Sequence, residues 1–448
     1  MSGNGDPEDL PEPGDDDALL RFLAQFGITP DASGQMDLGQ LMGRMQSMLA
    51  AFNTQLAGFG KADPESGMNW GFTLDLTRRA IAQAGSDPQP DPATTGRIRD
   101  AVALADLWLD EEIAFDRLTA PAVAWRRVDW VEQTFETWQG LVRPVISQLA
   151  QALRDLVDRP DAATAEPMLR LAVAGMFAAQ ISETLGDAAT TVVSGTDIGL
   201  PVTRPVVAIL PTNVAAFADG LAASAEDVLL YLAVREAARQ RLFASVGWLG
   251  PQLMALIEHY AREITIDPDG LERAIESQLG QAMTARDLEA AGTAVAHSLF
   301  APQRTPEQVE VLQRLEILLA VVEGWVDEVV SRVVEPRMPA AAGLTETLRR
   351  RRAIGGPAEN ALKTLVGLEL RPRRTRDAAN LWAATRAARG PEGRDAVWAH
   401  PDLMPSSADL DDPLGFAGAE RAQTAPDDLD AALARLLEEE GGAAGRDA

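Results

Sequence analysis

Apolar residues recur every three or four positions along most of this chain, which is the spacing of amphipathic α-helices. The periodic stretches predict helices over residues 95–115, 128–157, 167–190, 225–246, 249–260, 306–335, 357–368 and 375–388. Residues 206–210 are bounded by prolines and are the best candidate for a short strand. No alternating βαβ series occurs, so the pattern predicts a mainly α-helical protein with little β structure.

Capping residues mark the starts of two of these helices. Ser224 followed by Asp227 resembles a capping box with aspartate in place of glutamate. Thr305, Pro306 and Gln308 supply a cap, a proline at the first helical position and a side chain that can reach back. We therefore expect helices to start directly after Ser224 and Thr305.

The helix over 225–246 carries charged residues on its apolar side. Arg235 and Arg239 share one stripe with apolar residues, and Glu236 lies on the neighbouring stripe. The helix over 306–335 directs Glu323 into apolar surroundings in the same way. Burying an unpaired charge costs several kcal/mol, so each of these side chains needs a partner.

The spacing R-E-x-x-R of Arg235, Glu236 and Arg239 is that of the zinc motif H-E-x-x-H, with arginine at both histidine positions. Longer segments carry a family resemblance, and these are residues 196–201, 210–218, 229–249, 319–329, 356–358, 368–374 and 393–401. On them, the chain resembles the actinobacterial zincin-like metallopeptidase family over roughly residues 35–413. The resemblance implies a multi-helix zincin-like fold and a relationship to zinc-dependent proteases or hydrolases.

In members with the complete motif, the resemblance implies two zinc-binding histidines, a catalytic glutamate between them and a glutamate as third ligand. By position, the ligands correspond to Arg235, Arg239 and Glu323, and the catalytic base corresponds to Glu236. Arginine stays protonated near neutral pH and has no lone pair for zinc. Glu323 alone cannot supply the three protein ligands of a catalytic zinc site. We therefore expect no bound metal or other cofactor and a vestigial Glu236.

Two arrangements of these arginines are open. A guanidinium can occupy the position of the zinc ion, in which case Arg239 or Arg235 forms an ion pair with Glu323. Alternatively, both arginines extend to the surface while their stems cover apolar area.

Other residue types restrict the chemistry further. The absence of cysteine excludes disulfides, thiolate nucleophiles and cysteine-ligated metals. The histidines are scattered, so we do not expect a replacement zinc site from them; they are His259, His297 and His400. No phosphate-binding loop, dinucleotide fingerprint or nucleophile elbow occurs.

Much of the net charge of -27 lies near the two ends of the chain. Residues 1–18 contain seven acids and no Lys or Arg, and residues 409–448 contain eleven acids against three arginines, which together give -15. Such a field disfavours binding to nucleic acids or anionic membranes. Residues 349–376 are locally basic, and their arginines either contact phosphate or pair with acidic surface.

Composition changes suggest a division of the chain. We predict a largely disordered acidic segment over 1–35, a helical domain over 36–193, a zincin-like central region over 194–340, a basic helical extension over 341–408 and a disordered acidic tail over 409–448. No apolar run of about 18 residues predicts a membrane helix. The acidic start lacks the regions of a secretory signal, which predicts a cytoplasmic protein.

Three functions remain open at this stage. The first is a catalytically degenerate zincin-type protein that acts by binding or regulation, with a protein or peptide as partner. The second is an active metal-dependent hydrolase with Glu236 as general base and unrecognised metal ligands. The third is an intracellular scaffold that uses the methionine-rich amphipathic helix predicted over 36–49 or the acidic tails.

Overall fold

A computed structural model describes residues 62–64, 67–157, 166–264, 305–353, 355–368 and 374–418. The methionine-rich helix predicted over 36–49, His297 and the acidic segments at 1–35 and 419–448 lie outside these described residues. The structure of the described ranges is mainly helical, as the hydrophobic pattern predicts. No helix in those ranges is long and apolar enough to cross a membrane.

The described helices follow one another with few strands between them. In chain order they are α1 (Trp70–Gln83), α2 (Pro92–Leu109), α3 (Arg127–Val157), α4 (Glu166–Thr191), α5 (Pro211–Ala218), α6 (Ala225–Ser245), α7 (Leu249–Arg262), α8 (Pro306–Val334), α9 (Ala341–Ala353), α10 (Pro357–Val366), α11 (Thr375–Asp395), α12 (Ser407–Asp411) and α13 (Pro413–Gly418). Helix α3 continues past Pro144. Helix α11 is kinked at Gly390, whose φ is +74°.

Both predicted helix starts are confirmed, with a complete capping box at Thr305 and a side-chain cap alone at Ser224. The Ser224 side chain accepts a hydrogen bond from the Asp227 backbone N–H at 3.0 Å. Thr305 and Gln308 form a complete capping box at the start of α8. These caps fix where α6 and α8 begin.

The predicted extended segment forms part of a very small sheet. Strand β2 (Ala208–Ile209) pairs in parallel with β1 (Val123–Ala124). Ser194 also forms an antiparallel bridge with Ile209. Strand β2 is thus held both to β1 and to the segment around Ser194.

The predicted end of the helix over 95–115 is wrong. Helix α2 ends at Leu109, and the acidic residues Asp110, Glu111 and Glu112 follow it. Negative charge is unfavourable at a helix C-terminus, because the carbonyl groups there carry partial negative charge. Ile113 is still buried, but it reaches the core from the turn after the helix.

Helices α6 and α8 form the middle of the molecule. Helix α6 packs against α2, α5, α8 and α9, and α8 also packs against α7 and α11. All residues from Tyr231 to Leu242 are buried. One hydrophobic cluster extends from Met68 to Phe416, so α13 joins the core although its residues fall within the predicted acidic tail. The predicted domain boundaries remain predictions.

A group of buried charges around Arg394 joins the end of α11 to α8 and to the turn after α2. The guanidinium of Arg394 is fully buried and donates to Glu328 at 2.7 Å, Glu112 at 3.3 Å and Asp395 at 2.8 Å. Trp325 donates its indole N–H to Asp395 at 2.9 Å. These contacts fasten the C-terminal helices to the core.

Candidate functional site

The two arginines of the R-E-x-x-R spacing are buried, with 4% exposure for Arg235 and 1% for Arg239. Arg239 binds Glu323 through two hydrogen bonds, from Nε to Oε1 at 3.0 Å and from Nη2 to Oε2 at 3.2 Å. Arg235 also donates to Glu323 Oε2, at 3.1 Å. Both predicted ion pairs are therefore present, and the alternative in which the arginines extend to solvent is wrong.

Sequence reasoning missed the second carboxylate partner of Arg235. Asp327 lies one helical turn after Glu323 on α8, and its Oδ1 accepts from Arg235 Nη1 at 2.6 Å. The spacing of four residues between these two acids was the available signal. Asp327 and Glu323 thus present a pair of carboxylates to the two arginines of α6.

Arginines from α9 complete the group. Arg352 forms an ion pair with Glu323, and Arg349 contacts Asp327 at 3.3 Å. We call Arg235, Arg239, Arg352, Glu236, Glu323 and Asp327 the arginine–carboxylate site. Arg349 and Arg352 of the basic region therefore pair with acids of the protein, which was the alternative to phosphate binding.

Glu236 is fully buried, and protein donors surround its carboxylate. Ser194 Oγ donates to Oε2 at 2.7 Å, and Thr196 donates both its Oγ1 hydroxyl at 2.9 Å and its backbone N–H at 3.1 Å. Gln240 donates to Oε1 at 3.1 Å, and Arg239 Nη1 lies 3.5 Å from Oε2. Both carboxylate oxygens therefore already have hydrogen-bond partners within the protein.

The loop from Ser194 to Gly199 covers the two glutamates. A Cβ atom at Gly195 would lie 3.2 Å from Glu236 Oε1, and one at Gly199 would lie 3.3 Å from Glu323 Oε1. Gly199 also has a φ of +76°, which favours glycine. Trp130 donates its indole N–H to the carbonyl of Gly195 at 3.1 Å and holds the loop in place.

The pKa values of the two glutamates of the site are shifted in opposite directions. Burial favours a raised pKa for Glu323, but Arg239, Arg352 and Arg235 together lower it to about 2. Burial raises the pKa of Glu236, and Arg239 and the hydroxyl donors only partly oppose that shift. Glu323 is thus a carboxylate at neutral pH.

The lowered pKa of Glu323 predicts a defined pH dependence of stability. Because its folded pKa lies below the ordinary value of 4.5, ionised Glu323 stabilises the fold above pH 4.5, and this contribution is lost as the pH falls toward about 2. We expect the difference in unfolding free energy between wild type and Glu323→Gln, measured by urea denaturation, to shrink below pH 4.5. A difference that stays constant between pH 6 and the onset of acid unfolding would contradict this assignment.

Comparison with known proteins identifies the family. A family model described as zincin-like metallopeptidase matches residues 68–417. This chain belongs to the zincin-like metallopeptidase family. A solved structure from Chloroflexus aurantiacus, titled a "putative hydrolase with a novel fold", is similar to this zincin-like protein with a TM-score of 0.54 and 18% identity, covering 78% of this chain and 97% of that one. No curated protein matches the sequence.

The donor set of this zincin-like protein does not fit the zinc ion that its family name implies. Arg235 and Arg239, which the sequence resemblance aligns with the histidine ligands, present protonated nitrogens, which have no lone pair for a metal. Burial tends to lower the pKa of Arg235, but Asp327, Tyr231 and Glu323 raise it above the ordinary value. The arginines therefore stay charged and repel a divalent cation.

The described histidines do not repair this ligand set. His259 contacts Glu307 on α8, and His400 contacts Asp402 in the turn after α11. Both are largely exposed, and among the described residues neither forms a hydrogen bond or ion pair with the arginine–carboxylate site.

Proposed function

We propose that this zincin-like protein is not a zinc peptidase and acts as a binding or regulatory protein with a protein or peptide partner. The observation that carries the proposal is the contact of Arg235 and Arg239 with Glu323. The sequence resemblance aligns these three residues with the family's metal ligands. Two guanidinium groups supply the positive charge that Glu323 would otherwise receive from a metal. The site then links α6 to α8 as a structural element.

The surroundings of Glu236 support the same proposal. A general base must lie within hydrogen-bond reach of the water from which it takes a proton. The Glu236 carboxylate is fully buried and is occupied by Ser194, Thr196, Gln240 and Arg239. An active hydrolase that uses Glu236 would have to displace several of these donors before water could reach it.

A peptidase assay tests this proposal. We expect purified full-length protein, given excess zinc chloride and a mixture of unstructured protein substrates, to show no cleavage above that of Glu236→Gln. Addition of a chelator should leave this background unchanged, whereas a known zinc peptidase in the same assay should lose its activity. Zinc-dependent cleavage that the chelator and Glu236→Gln both abolish would overturn the proposal and favour the active-hydrolase alternative.

A further inference from the structure

A separate group of metal-binding side chains lies where α7 meets the start of α8. His259 is in the last turn of α7, Glu263 directly follows this helix, and Glu307 is in the first turn of α8. Each can offer one ligand atom, and these three atoms lie within 4.8 Å of one another. His259 Nε2 and Glu307 Oε1 are already 3.1 Å apart.

The backbone that carries these side chains is firmly held. Glu263 caps the end of α7, four positions after His259, and its backbone N–H donates to the carbonyl of His259 at 3.3 Å, so the two residues are neighbours at this helix end. The capping box of Thr305 and Gln308 fixes the first turn of α8, and Gln308 also donates to the carbonyl of Tyr260 at 3.4 Å. The two helix ends are thus fastened together beside the three ligands.

The chemistry of the three groups suits a borderline divalent metal. Zinc binds imidazole nitrogen and carboxylate oxygen at about 2.0–2.2 Å, and three protein ligands leave a fourth position for water. His259 and Glu307 have side-chain exposures of 47% and 59%, so solvent can reach that position. The C-terminal end of α7 favours a cation and the N-terminal end of α8 disfavours one, so the ligands themselves must supply the affinity.

We propose that His259, Glu263 and Glu307 form a zinc-binding site that is distinct from the arginine–carboxylate site. Two carboxylates and one neutral imidazole neutralise the charge of the ion. By bridging α7 and α8, the bound metal stabilises the junction of these two helices. This site goes beyond the proposed function, which concerns only the site around Glu323.

His400 provides a matched comparison within the same chain. It is also exposed and lies beside a carboxylate, with Nδ1 at 3.4 Å from Asp402. The Asp402 backbone N–H donates to this same nitrogen at 3.2 Å. Among the described residues, His400 has no third ligand comparable to Glu263. His400 therefore serves as a histidine beside a single acid, for comparison with His259, which belongs to a set of three possible ligands.

Zinc titration of the full-length protein tests the proposed site. Zinc chloride is titrated into metal-free protein at pH 7.5 in competition with a chromophoric chelator, and we expect one zinc per chain. His259→Ala and Glu307→Gln should each lower the affinity at least about tenfold, whereas His400→Ala and Glu258→Gln should leave it unchanged. Zinc should also raise the Tm of wild type but not that of His259→Ala, since a ligand stabilises only the protein that binds it.

Two outcomes would overturn the site. One is no zinc binding by wild type at micromolar concentrations, and the other is equal zinc affinity in wild type and His259→Ala, with circular dichroism showing that both are folded. The peptidase assay separates this result from the proposed function. Both proposals are supported if His259→Ala loses zinc binding and the wild-type protein shows no peptidase activity. Both are contradicted if His259→Ala binds zinc as wild type does and the wild-type protein cleaves substrate.

Discussion

Replacement of Arg239 by methionine is expected to destabilise the protein by about 3–5 kcal/mol, because removal of one partner leaves a buried charge uncompensated. Arg239 holds both oxygens of Glu323 and also lies 3.5 Å from Glu236. Methionine fills a similar volume, so the loss reflects mainly charge and hydrogen bonding. Urea denaturation monitored by circular dichroism measures the effect.

Arg350→Met is the matched control for this substitution. Arg350 lies on α9, has a side-chain exposure of 76% and pairs with Glu346 at 2.8 Å. An exposed pair of this kind is worth about 0–1 kcal/mol. If Arg239→Met were no more destabilising than this control, Arg239 would not be the principal counter-charge of the site.

Arg239→Lys separates the charge of Arg239 from its shape. Lysine keeps the positive charge but cannot bind both oxygens of Glu323 in a planar fork. We therefore expect its stability to lie between those of wild type and Arg239→Met. A lysine variant as stable as wild type would show that charge alone is sufficient at this position.

Gly324→Ala is expected to destabilise the protein by at least about 1–3 kcal/mol, the cost of overpacking a core. Gly324 lies where α8 and α11 are in close contact. A Cβ atom there would lie 2.5 Å from Ala378 Cβ and 2.7 Å from the Ala379 backbone nitrogen. Backbone cannot move aside as a flexible side chain can, so the two helices must separate. Thermal and urea unfolding should both report the loss.

Gly140→Ala provides the opposite control. Gly140 lies within α3, and a Cβ atom there would meet nothing within 4 Å. Alanine is favoured over glycine in a helix by about 1 kcal/mol, so this variant should be as stable as wild type or more stable. If the two alanine variants had equal stability, the close approach of α8 to α11 would not be what requires glycine at 324.

The helical period predicted which faces of the two helices are apolar, whereas the pairing of the charges on those faces rested on the family resemblance. The period placed Arg235, Arg239 and Glu323 among apolar residues, where an unpaired charge is costly. The resemblance then suggested Glu323 as the partner of the arginines, while an arrangement with both arginines at the surface stayed open. The period could not supply Arg352 or the hydroxyl groups around Glu236, because their positions depend on how α9 and the loop at 194–199 fold back over the site. Such contacts are tertiary and leave no local period in the sequence.

The prediction for α2 failed for a related reason. The apolar spacing continues through Ile113, although the helix ends at Leu109. Periodicity records which residues are buried, but not whether the backbone between them is still helical. The acidic residues after Leu109 interrupt the helix, and Glu112 finds its partner in Arg394, far along the chain.

The ion pair between Glu112 and Arg394 joins residues that are 282 positions apart. Translation proceeds at roughly 5–20 residues per second, so Arg394 is synthesised on the order of 15 to 60 seconds after Glu112. During that interval, Glu112 has no access to Arg394 and must remain hydrated. The same holds for Glu328 over the 66 positions that separate it from Arg394. Burial of this face of α8 therefore waits until α11 has left the ribosome, which makes docking of the C-terminal helices a late step in folding of the nascent chain.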